Sequence, residues 1–90
     1  MKEFIDPFLY NVPRLDIHGY DRTGAVAVVK TFIDDYVRIE EHTLIVIHGK
    51  GEGILKTSVH EYLKHDERVM SYKLNNYNDG ETIITLKGKN

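Results

Sequence analysis

The sequence predicts an α/β two-layer sandwich, β-α-β-α-β-β in chain order, with a mixed sheet of about four strands and two helices packed on it. Three observations carry that expectation. Two short apolar segments, "RLDIH" and "TLIVIH", each run into a glycine and then into a stretch with helical spacing. Two later β-rich segments, "RVMSYKL" and "ETIITLK", flank the turn-rich "NNYNDG", the signature of a hairpin. Finally, a chain of 90 residues with 41% hydrophobic content has enough apolar surface for one core and no room for a second.

Residues 1–13, "MKEFIDPFLYNVP", place Phe4, Ile5, Phe8, Leu9 and Tyr10 between two prolines. They read as an N-terminal arm that packs on the domain of residues 14–90, against a helix or a partner chain. "RLDIH" alternates Leu15 and Ile17 with Arg14, Asp16 and His18, the period-2 pattern of a half-buried strand. From Tyr20 to His42, Ala25, Val28, Val29, Phe32, Ile33 and Tyr36 mark one face of an amphipathic helix, with Asp21 as its N-cap. Gly24 costs that helix at most about 1 kcal/mol relative to alanine. Residues 43–48 are apolar on both faces, as a central strand requires. Ile54, Leu55, Ser58, Val59, Tyr62 and Leu63 then space out a second, shorter helix ending near "KHD". Each strand–helix–strand passage should cross right-handedly, and the terminal hairpin makes the sheet mixed.

Bulk properties exclude several classes. Without cysteine there are neither disulfides nor thiolate metal sites. The N-terminus, "MKEFIDPF", lacks the basic start and apolar region of a signal peptide, and the longest apolar run, "AVAVV", is far short of a membrane helix. A cytoplasmic protein with no membrane partner is the expectation. The net charge of −2 means that any affinity for a polyanion must come from a local patch.

The chemistry concentrates in an echo: Ile17-His18-Gly19 and Ile47-His48-Gly49 both end a strand that feeds a helix. Open α/β sheets place ligands at such strand ends. If the strands are parallel neighbours, the two imidazoles should face one another across a site that fits a phosphate, with Asp16 orienting His18. "HGKGEG" adds Gly49, Gly51 and Gly53 just before a helix, so backbone amides and the helix N-terminus favour an anion, and Lys50 and Lys56 bracket the loop. The same glycines would equally build a tight strand-to-helix turn. The spacing is neither the dinucleotide G-x-G-x-x-G nor a Walker loop, since Leu55 precedes Lys56-Thr57. His42, His60 and His65 have no matching context and read as surface residues.

"LDIHG", a helix, "IVIHGKGEG", a second helix and "GETIITL" together resemble the Smr (small MutS-related) domain, found at the C-terminus of bacterial MutS2 proteins and as free-standing chains. The resemblance spans about residues 14–87, through Leu15, Asp16, His18, Gly19, His48, Gly49, Gly51, Gly53, Gly80 and Thr82. It implies a fold similar to the C-terminal domain of translation initiation factor three. It also implies endonuclease activity, with nicking of DNA or cleavage of RNA, and RNA, DNA or the ribosome as partners for a monomer or weak homodimer. On that reading Gly19, Arg22, Gly49, Lys50, Gly51, Gly53 and Lys56 grip nucleic-acid phosphate. His18 and His48 move protons to and from a ribose 2′-OH and a leaving 5′-oxygen, and Asp16 orients His18. On DNA a water must attack, and Asp16, His18 and His48 would instead hold a divalent ion such as Mg²⁺. The alternatives are a nucleic-acid or ribosome binding module without catalysis and, resting on the loop alone, a binder of small phosphate compounds.

Overall fold

The computed structural model describes Leu9 and residues 11–88. Its elements are β1 (Arg14–Asp16), α1 (Arg22–Arg38), β2 (Thr43–Ile47), α2 (Ile54–Lys64), β3 (Val69–Asn75) and β4 (Asn78–Leu86), the order the sequence predicts. One four-stranded sheet runs β1-β2-β4-β3, with β1 and β2 parallel and the other pairs antiparallel. The expected packing of the arm through Phe4, Ile5, Phe8 and Tyr10 lies outside the described residues. The chain joins the sheet at Pro13, whose carbonyl accepts from the amide of Ile45 at 2.9 Å.

Both helices cover one face. Ala25, Val29, Phe32 and Ile33 of α1 share a single buried cluster with Val59 and Leu63 of α2, Leu44 and Val46 of β2, and Ile84 and Leu86 of β4. Removing such side chains from water, at about 1.5–3 kcal/mol each, is what holds the two layers together. By strand alternation Ile45, Ile47 and Ile83 point to the opposite face. Among the described residues no helix is long and apolar enough to cross a membrane.

Two boundaries differ from the sequence reading. The first helix stops at Arg38, short of His42, because Glu40 takes a left-handed conformation (φ 62°). The amide of Glu40 then donates to the Val37 carbonyl and that of Glu41 to Tyr36, both at 3.1 Å, which closes a Schellman motif. The terminal hairpin turns through only Asn76 and Tyr77, so Asn78, Asp79 and Gly80 belong to β4 rather than to a long turn. Asn75 and Asn78 make this possible: their side-chain oxygens accept from the amides of Tyr77 and Gly80, each at 3.0 Å. At the far end of the helices Arg68 binds Asp66 and Asp34. Tyr62 donates to Asp66, and burial beside that carboxylate pushes its hydroxyl up to about 12.

Candidate functional site

The parallel register pairs Leu15 with Val46 and Asp16 with Ile47, and the amide of Ile17 donates to the Ile47 carbonyl at 2.9 Å. The carboxyl ends of β1 and β2 are therefore adjacent. Residues 17–21 and 48–53, the two segments containing His-Gly, leave the sheet side by side at the N-termini of α1 and α2.

After β1 the chain turns sharply. Asp16 Oδ1 accepts from the His18 amide at 3.0 Å and meets the His18 ring Nδ1 at 2.7 Å. These two bonds, the backbone one first, hold the Asp16 carboxyl below its usual range. A carboxylate only accepts, so Nδ1 carries the proton and the Nε2 lone pair of neutral His18 faces solvent. The pair is open, with side-chain exposures of 79% for His18 and 49% for Asp16. Gly19 (φ 88°) supplies the left-handed residue that the turn needs, and Asp21 caps α1 by accepting from Gly24 N at 2.7 Å.

After β2 the geometry is different. Asp16 aligns with Ile47, so side-chain alternation puts His48 on the same face as Ile17, toward the helices. His48 is 6% exposed. Its Nδ1 meets the Gly49 carbonyl at 3.0 Å, and its Nε2 meets Thr82 Oγ1 at 2.8 Å. The second partner of that hydroxyl is His60 Nε2 at 2.6 Å, and the two imidazoles stand edge to face, 6.1 Å apart. Burial pushes both histidines below the ordinary value of 6.5, with His48 and Lys56 adding to the effect on His60.

This arrangement corrects two expectations. His18 and His48 are not a matched pair of open imidazoles: His18 lies in the turn after β1 against Asp16, whereas His48 is buried with both ring nitrogens engaged within the protein. His60 is not a surface residue. It stands one turn before Leu63, at the rim of the buried face of α2, and that helical spacing was the available signal. His42 and His65 are exposed, as expected. Asp16, His18 and His48 also fail to converge as a metal set: His48 has both ring nitrogens engaged within the protein, and no group of three or more candidate ligands gathers among the described residues. These three side chains therefore do not fit a shared divalent ion.

The glycine loop is anchored at one end and open at the other. The amides of His48 and Gly49 both donate to the Gly80 carbonyl, at 2.9 and 3.0 Å, so the Gly49 amide is not free for a ligand. A Cβ on Gly80 would lie 3.1 Å from Lys50 Cγ and 3.2 Å from the Gly49 carbonyl carbon, which explains the glycine there. Gly53 (φ 83°) is the N-cap of α2 and offers no side chain to the first-turn amides. Lys56 folds back toward that cap, and a Cβ on Gly53 would sit 3.9 Å from its Nζ. Gly51, Glu52, Gly53, Ile54, Leu55 and His48 line a depression of about 250 Å³. A neighbouring one of about 230 Å³ is shared by Glu52, Gly53, Ile54, Thr57, Ser58 and Arg22. The fold thus brings Arg22 of the first half to the loop of the second. Lys50 lies 3.8 Å from Asp79, with both side chains exposed.

Comparison with known proteins identifies the family. A 72-residue match is 35% identical to Endonuclease MutS2 of Acetivibrio thermocellus and covers 80% of this chain but 9% of that protein. Over 72 residues the chain is 42% identical to Endonuclease MutS2 of Thermotoga neapolitana, covering 80% of this chain and 10% of the relative. The chain therefore spans about a tenth of the length of these relatives. The crystal structure of the Smr domain of Thermus thermophilus MutS2 superposes with a TM-score of 0.82 at 28% identity, over 84% of this chain and 99% of that one. YdaL, a stand-alone small MutS-related protein from Escherichia coli, shares the fold with a TM-score of 0.77 at 19% identity, over 82% of this chain and 63% of its own. Residues 15–87 match the Smr domain, and the chain belongs to that family.

Proposed function

We propose that this domain cleaves the RNA backbone, with the exposed Asp16–His18 pair as the chemical group and the Gly51–Gly53 segment, Lys50, Lys56 and Arg22 as the phosphate grip. The observation that carries this reading is the 2.7 Å contact between Asp16 and His18 Nδ1, which leaves the other nitrogen of an exposed imidazole without a partner in the dyad. His18 takes the proton of a ribose 2′-OH, the 2′-oxygen bonds to phosphorus and the P–O5′ bond breaks. The departing 5′-oxygen takes a proton from the imidazolium or from solvent, leaving a 2′,3′-cyclic phosphate and a 5′-hydroxyl. The uncapped amides of α2 and the nearby cations favour the extra negative charge that develops on the phosphoryl oxygens. The nuclease names of the MutS2 relatives support the same class of reaction.

Labelled RNA incubated with the protein in EDTA tests it. Cyclic-phosphate products that disappear in His18→Ala support the proposal, and loss of all cutting in EDTA rejects it. A parallel DNA substrate lacks the 2′-nucleophile and stays intact by this route. One observation favours a second reading: with His48 buried, a single imidazole is left at the site, which suits gripping a backbone without cutting it. Binding to structured RNA or ribosomes that falls steeply with salt, without products, selects that alternative.

A further inference from the structure

Three hydrogen bonds outside the exposed dyad form a chain: His60 Nε2 to Thr82 Oγ1 at 2.6 Å, Thr82 Oγ1 to His48 Nε2 at 2.8 Å, and His48 Nδ1 to the Gly49 carbonyl at 3.0 Å. Their protons can be assigned by elimination. A carbonyl only accepts, so His48 Nδ1 must carry a hydrogen. Burial keeps the ring neutral, so Nε2 holds a lone pair and must accept from the Thr82 hydroxyl. That hydroxyl has one hydrogen, now used, so it can only accept from His60, whose proton must be on Nε2. Every donor in the chain then points the same way, from α2 through β4 to the start of the glycine loop. Among the described residues no buried side-chain polar atom lacks a partner, so the chain is satisfied throughout.

We infer that Thr82 and His60 are positioning residues that lock His48 in its Nδ1–H tautomer and thereby fix the Gly49 peptide from which the phosphate loop departs. A solvated neutral histidine side chain prefers the other tautomer, so this one is imposed by its partners. The Gly49 peptide is pinned at both ends: its carbonyl takes the His48 proton and its amide reaches Gly80. With φ at 87°, Gly49 sets the direction in which the loop leaves this anchor. His60 in turn has its ring 5.0 Å from that of Tyr72 on β3, which holds the far end of the chain in place. The lock itself is a property of the protein without substrate; only its consequence for RNA rests on the phosphate reading above.

Nitrogen-15 spectra of the histidine rings at neutral pH test the lock. The expected result is a protonated Nδ1 and unprotonated Nε2 for His48, with a protonated Nε2 for His60. Thr82→Val should mix the His48 tautomers, and Thr82→Ser, which restores the hydroxyl, should return the single form. A His48 proton on Nε2 in the unaltered protein, or one unchanged pure tautomer in Thr82→Val, overturns the inference. Affinity for a 2′-O-methyl RNA oligonucleotide, which cannot be cut, gives the second readout. Thr82→Val should weaken it about tenfold, the worth of one loop hydrogen bond to a charged group, and Thr82→Ser should recover it. A mixed tautomer with unchanged affinity supports the lock and rejects phosphate binding by the loop.

Discussion

The same tripeptide, Ile-His-Gly, ends two neighbouring parallel strands and leads to opposite fates. His18 stands in solvent against a carboxylate, whereas His48 is buried, lining the loop depression, with both ring nitrogens bonded to the protein. The difference is where each strand stops: Asp16, the last residue of β1, aligns with Ile47, so His48 follows β2 directly on the helix face while His18 already lies in a turn. Position in the sheet reinforces this. Among the described residues β1 is an edge strand, while β2 lies between β1 and β4 and meets Thr82 there. An echoed motif is therefore not an echoed environment: one imidazole is open to solvent and the other is bonded within the protein.

Exchanging the two histidines for alanine separately sharpens that comparison most. His18→Ala should reduce RNA cleavage by about 10²- to 10⁴-fold, the usual worth of a general base, and leave the melting temperature unchanged because the side chain is exposed. His48→Ala should behave in the opposite sense first. Losing a buried ring and stranding the Thr82 hydroxyl costs about 2–3 kcal/mol, which lowers the melting temperature by roughly 10–20 °C. Calorimetry of both variants beside a cleavage assay reads the contrast, and equal melting temperatures would break it. Gly80→Ala, whose Cβ meets the Gly49 backbone at 3.2 Å, should cost about 1–3 kcal/mol and loosen the loop, visible as faster amide exchange at Gly49.

Buried His48 and half-buried His60 also set a pH dependence. His48 and His60 titrate below 6.5 when folded, so the unfolded chain binds more protons in the interval beneath that value. Their contribution is complete above pH 6.5, declines as pH falls below it, and levels off under the folded-state values. Thermal melts between about pH 8 and pH 5 should show this decline. It should flatten in His48→Ala and persist in His18→Ala. The smallest effect belongs to Lys50→Ala: its exposed contact with Asp79 is worth less than about 0.5 kcal/mol to folding. The salt dependence of RNA binding should nevertheless fall by about one counterion.

Hydrophobic spacing was enough to read the element order, because Val29, Ile33, Val59 and Leu63 can reach a common core only as two helices on one face of the sheet. Register and local capping were not readable in the same way. The stop at Arg38 depends on Glu40 adopting a conformation that glycine usually takes, and the early start of β4 goes with Asn75 bonding into the two-residue turn and Asn78 bonding the Gly80 amide within the strand. For the site, pairing Asp16 with His18 needed only their separation of two. Separating the two histidines required knowing that β1 stops at Asp16 and that His48 meets Thr82 of β4, a long-range fact. The partnership of His60 with Thr82 spans 22 residues and two elements, and only the packed structure brings them together.

The division of labour between the two histidines is tested most directly by titrating the protein with an uncleavable 2′-O-methyl RNA oligonucleotide while following each imidazole by NMR. The account predicts that the His18 ring signals move with saturation while those of His48 stay close to their free positions. Large shifts at His48 with a silent His18 would contradict it, and would place the buried histidine, not the exposed one, at the phosphate.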